Sequence, residues 1–82
     1  MFILLNFLKD KVKKYHEKKL GEAREKLESH KEIKNQLENQ LKTSDNEQMP
    51  EIKKKIEKQN EFIAIWNKNI NSINKQLQKL KT

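Results

Sequence analysis

The sequence predicts an all-α protein: an antiparallel helical hairpin of the coiled-coil type that assembles further into a four-helix bundle or larger oligomer. Three observations predict it. From Met49 to Leu80 apolar residues keep a seven-residue repeat, with Met49, Ile56, Ile63, Ile70 and Leu77 in one series and Ile52, Gln59, Trp66, Ile73 and Leu80 in the other. Alternating steps of three and four hold such a stripe on one side of a helix, which must then pack lengthwise against another helix. A similar stripe runs upstream through Leu20, Ala23, Leu27, His30, Leu37 and Leu41, with Lys34 interrupting it and Ile33 beside it. Between the two lies the one plausible break, Thr43 to Pro50.

The first helix is expected over about residues 3–42. Its early part carries Leu5, Leu8, Val12 and Tyr15 on one stripe, one residue out of phase with the later stripe near Gly21. A straight helix whose period slightly exceeds 3.5 produces that drift. A bend at Gly21 is the alternative, although a glycine costs only ~1 kcal/mol inside a helix and does not by itself end one. Forward pairs Asp10/Lys14, Glu22/Lys26, Glu38/Lys42 and Glu51/Lys55 add ~0.2 to 0.5 kcal/mol each. The turn is expected at about residues 43–47. Ser44, Asp45 and Asn46 are N-cap types, Glu47 and Gln48 follow in capping-box spacing, and Pro50 is tolerated in a first helical turn. A second helix is then expected over about residues 47–80, the whole chain of 82 residues making one helical-hairpin domain.

So short a link sets the helices antiparallel, and pairing Leu41 with Ile52 fixes the register. Leu37 then meets Ile56, His30 meets Ile63, Leu27 meets Trp66, Ala23 meets Ile70 and Leu20 meets Ile73. The second helix runs out opposite about residue 11, so residues 1–8 overhang. The same heptads also allow a long first helix that does not fold back, and the overhang then disappears.

Composition narrows the function classes. With 33% hydrophobic and 38% charged residues, 82 residues fill a narrow seam but not the interior an enzyme pocket needs. Cysteine is absent, which excludes disulfides and thiolate metal sites and leaves the cytoplasm as the default compartment. The apolar opening, MFILLNFL, falls far short of the ~20 residues that cross a bilayer, and its basic residues follow the apolar run instead of preceding it as in a secretory signal. His16 and His30 lie far apart, with no neighbouring ligand to complete a metal site. Neither an arrangement of serine, histidine and acid nor a glycine-rich phosphate loop occurs. A non-enzymatic chain without cofactor or metal is expected.

The formal charge of +7 is unevenly spread. Residues 1–19 hold six lysines against Asp10 and Glu17, residues 20–50 sum to −2, and residues 51–82 hold eight lysines against three glutamates. Asn and Gln number 15, and together with the preference for Ile and Lys this fits an AT-rich genome as readily as a function.

Two surfaces stand out as contact sites. Phe2, Ile3, Leu4, Leu5, Phe7 and Leu8 form an apolar tip, followed at once by the basic collar of Lys9, Lys11, Lys13 and Lys14. Such a patch marks a contact surface, for another copy, for a groove on a different protein, or for an anionic membrane surface with the chain peripheral to it. Apolar residues on all sides of this segment favour burial between helices over a membrane amphipath. Ile33 and Phe62 both take g positions, on the same side of an antiparallel seam, and with Ile65 and Trp66 they widen the apolar face towards a second hairpin. Gln59, the one polar residue in the second seam, is placed near Lys34 by this register and is read as a register-fixing residue. Nucleic-acid binding ranks below these readings. A single arginine, Arg24, leaves no set of bidentate base readers, and acidic residues dilute the basic face. The expectation is a small regulator or inhibitor that self-associates and engages a larger protein, with an acidic or apolar groove, through its tip and basic open end.

Overall fold

The computed structural model describes residues 2–81, with side chains from residue 5 to residue 80. Two helices, α1 (Phe2–Thr43) and α2 (Met49–Lys81), pack against each other, and the described residues contain no strand. The molecule is a rod of 68 × 14 × 13 Å. Its radius of gyration of 19.0 Å compares with ~12 Å for a compact chain of this length.

α1 runs without interruption past Gly21, where the backbone φ is not positive and a Cβ would meet nothing within 4 Å. The phase drift of the upstream stripes is therefore that of a continuous helix. Gly21 is a surface position with no packing reason to be glycine.

The closed end shows why α1 stops and α2 starts. Ser44 Oγ donates to the Leu41 carbonyl at 3.0 Å and Thr43 Oγ1 donates to the Gln40 carbonyl at 3.2 Å, satisfying two of the acceptors that every helix C-terminus leaves open. Ser44 thus closes α1 and does not cap α2. The cap is Asp45, whose Oδ1 accepts from the Gln48 N–H at 3.0 Å while its carbonyl accepts from Met49 N–H at 3.2 Å. Pro50 has no N–H to give to Asn46, which interrupts the ladder and leaves regular helix from Met49 onward.

The seam holds little that is fully enclosed. Among the described residues only Ala23, Leu27 and Ile52 are buried hydrophobics, at 2%, 8% and 5% exposure. Leu20, Leu37, Leu41, Ile56, Ile63, Trp66, Ile70, Ile73 and Leu77 are half-buried. Two cylinders touching along a line cover one side of each seam residue and leave its flanks open, so the stability of the pair rests on partial burial.

A polar contact crosses the seam near its middle: His30 Nδ1 donates to Gln59 Oε1 at 2.7 Å, and the His30 ring stacks on Phe62 with centroids 4.7 Å apart. The hydrogen-bond partner of Gln59 is thus His30, one turn from Lys34 on the seam face of α1. The Lys34 ammonium instead lies 3.7 Å from Glu38 on its own helix. Other ion pairs among the described residues are Lys13–Glu17, Lys19–Glu22 and Glu28–Lys31. Glu22 and Glu38 therefore turn back to Lys19 and Lys34 and away from Lys26 and Lys42. All of these pairs are substantially exposed, and each contributes a few tenths of a kcal/mol, about 0.5 at most.

Candidate interaction surfaces at the open end and along one flank

Helix lengths build the open end. α1 has 42 residues and α2 has 33, and because both start from the same turn the difference of nine residues, about 13 Å at 1.5 Å per residue, emerges at the far end. The last turns of α2, through Leu77 and Leu80, line a cleft with Asn6, Lys9 and Lys13 of α1. Leu5, Leu8 and Val12, which fall on or beside the seam stripe at this end and do not line that cleft, are 57%, 52% and 43% exposed. Phe7, about 200° round the helix from Leu5, is 54% exposed on the opposite side. Phe2, Ile3 and Leu4 belong to α1, but their side chains lie outside the described residues.

The collar is fully on the surface. Lys9, Lys11, Lys13 and Lys14 are all exposed. Lys11 Nζ sits 4.9 Å from the Phe7 ring centroid, a cation–π contact one helical turn long, and Lys13 Nζ lies 3.9 Å from Glu17. Tip and collar thus share one helix, on which Phe7 lies between Lys14 and Lys11 round the circumference and Leu5 beside Lys9.

The hairpin's two flanks differ in chemistry. Tyr15 and Ile33 are eighteen residues apart, five full turns, and so project on one side of α1. On α2 the row Phe62, Trp66, Asn69, Ile73 and Gln76, with steps of four and three, projects on the same side, with Ile65 at its outer edge. Tyr15, Ala23, Trp66 and Ile73 line a shallow groove of about 400 Å³ there, rimmed by Lys19, Glu22 and Lys26. Tyr15 is 57%, Ile65 53% and Ile33 41% exposed, while Phe62 and Trp66 are half-buried. Across the molecule α2 shows the amide row Asn60, Asn67, Asn71, Asn74 and Gln78. One flank is apolar, and the other is hydrophilic, with Asn74 and Gln78 joining Lys13 in the cleft at the open end.

Of the residues singled out by sequence, Ile33, Phe62, Ile65 and Trp66 share the apolar flank, and Gln59 sits inside the seam with His30 as partner. The role of Tyr15 was not legible: its edge-on contact with His16, with ring centroids 5.6 Å apart, the 5.7 Å approach of Lys19 to its ring and its place at the groove depend on the cross-helix register. Among the described residues no three His, Cys, Asp or Glu side chains are grouped to hold a metal ion, and no helix is long and apolar enough to cross a membrane.

Comparison of the chain with known protein families, with curated proteins and with solved structures finds no match.

Proposed function

We propose that this chain is a non-enzymatic interaction module, a small regulator or inhibitor that self-associates and engages a larger protein through its apolar tip and basic open end. The observation that carries this reading is the unpartnered end of α1, where Leu5, Phe7 and Leu8 stand more than half exposed beside four lysines. Large apolar side chains clustered on a small helical surface gain free energy when a partner covers them, at roughly 25 cal/mol per Å² of apolar area removed from water. The lysines add long-range attraction toward an acidic surface, which raises the encounter rate and selects the partner more than it adds affinity. Action would then be by occupation: the helix end fills a groove that another ligand or subunit needs.

The interleaving of lysines with Leu5, Phe7 and Leu8 also supports a second reading, peripheral attachment to an anionic membrane. One pair of proteins tests both. The full chain and a chain lacking residues 2–8 are compared for helix content, for retention of a stoichiometric protein partner, and for sedimentation with vesicles rich in phosphatidylserine. Equal helix content with partner retention only by the full chain is the expected result. Vesicle binding by the full chain in place of protein retention would move the function to the membrane. Collapse of helix content in the shortened chain would show the tip to be core and end both readings.

A further inference from the structure

We infer that a second copy of this chain docks antiparallel on the flank carrying Tyr15, Ile33, Phe62, Ile65 and Trp66, so that the two apolar tips point in opposite directions. This deepens the self-association in the reading above and rests on it.

Surface area supplies the first argument. The hairpin exposes 7067 Å², whereas a compact monomer of 9.9 kDa exposes about 5,200 Å². The excess, about 1,900 Å² per copy, falls within the half-share of the 2,000–5,000 Å² that obligate homodimers bury. Chemistry selects the flank. The amide row on the opposite side gains little from desolvation, while the apolar flank presents Tyr15, Ile33 and Ile65 at more than 40% exposure.

Shape supports a twofold arrangement. Ile33 and Phe62 lie at similar heights on this flank, and the groove lined by Ala23, Trp66 and Ile73 lies about ten residues, some 15 Å, toward the open end. A twofold axis near the level of Lys26 sets Ile33 and Phe62 of each copy opposite the groove of the other, the self-complementary contact that a C2 interface requires.

Charge decides the direction. The open end combines the six lysines of residues 1–19 with Lys75 and Lys79 against Asp10 and Glu17. The closed end, residues 43–52, holds Asp45, Glu47 and Glu51 with no basic residue, and rises only to zero net charge when Lys53, Lys54 and Lys55 are included. A parallel pair would set two strongly basic ends side by side. An antiparallel pair sets each basic end against a neutral to acidic one.

The test uses light scattering for molar mass and paired spin labels for direction. The chain contains no cysteine, so single cysteines introduced at Asn6 and Asn46 carry labels without altering charge. The expected results are a full-length dimer, a monomer of unchanged helix content for Ile65→Lys, an Asn6–Asn6 label distance of about 60 Å, and an Asn6–Asn46 distance between copies below about 25 Å. Ile65 is already 53% exposed, so its substitution should spare the fold, and Tyr15→Lys serves as a second probe of the same face. Dimers that persist in both variants overturn the inference. If such dimers are lost on removal of residues 2–8, assembly runs through the tip and the interaction-module reading stands without this flank. A short Asn6–Asn6 distance overturns the antiparallel direction. A full chain that stays monomeric overturns the flank while leaving the tip free for a foreign partner.

Discussion

The two ends of the hairpin follow opposite designs. At the closed end nearly every group is used: Ser44 and Thr43 close α1, Asp45 opens α2, and Ile52, three residues into α2, is 5% exposed. At the open end α1 continues about 13 Å past its neighbour with Leu5 and Leu8 more than half exposed, and the lysine collar needs no fold to hold it. The difference teaches that apolar content alone does not locate the core. Leu5 and Leu8, from the most apolar stretch of the chain, are more than half exposed, and the buried positions sit in a seam that also holds His30, Lys34 and Gln59.

If the closed half carries the stability and the open end does not, substitutions should separate them. Leu27→Ala removes a buried side chain from the paired region and should cost about 2 to 5 kcal/mol, enough to abolish the thermal transition of a hairpin this narrow. Leu5→Ser, at a position 57% exposed, should leave the melting curve nearly unchanged, and a large loss there would erase the contrast between the ends. Gln59→Ala strands the His30 Nδ1–H in the half-buried seam at a cost of about 1 to 3 kcal/mol. A double-mutant cycle with His30→Ala should return a coupling of about 1 kcal/mol, and zero coupling would mean that the bond does not contribute. Asp45→Ala removes the cap and should cost about 1 kcal/mol in denaturant unfolding, with Asp45→Asn close to neutral. The smallest effect runs the other way: Gly21→Ala should stabilise by up to ~1 kcal/mol, since the added methyl meets nothing within 4 Å and the helix loses a flexible residue. A fall in stability there would indicate that the open half is bent in solution.

Much of this architecture was legible in the order of residues. The heptad from Met49 to Leu80 determines which side of α2 faces its partner, and Asp45 with Pro50 marks where α2 begins. What could not be read shares one physical cause, near-degenerate alternatives. Glu22 has Lys19 behind it and Lys26 ahead, and Glu38 has Lys34 and Lys42, at spacings whose energies differ by no more than a few tenths of a kcal/mol. Spacing therefore cannot choose between them. Gln59 can reach either of two successive turns of α1, and the choice of His30 over Lys34 depends on side-chain placement that a repeat does not encode. Ser44 and Asp45 are both cap-forming types at a junction where one helix ends and another begins, and their division of labour appears only in the hydrogen bonds. For the candidate surfaces, Phe62 and Ile33 betray the apolar flank by their heptad position, whereas Tyr15 joins it only through the five-turn coincidence with Ile33.

The 68 Å length of the rod bears on what a pair of such chains could do. Two copies held antiparallel would present identical tips at the far ends of a stiff strut, facing away from each other. Such an object is a poor clamp and a good ruler. It would hold two targets at a fixed separation, and avidity would arise only for binding sites spaced to match, falling away sharply for sites set closer or farther apart.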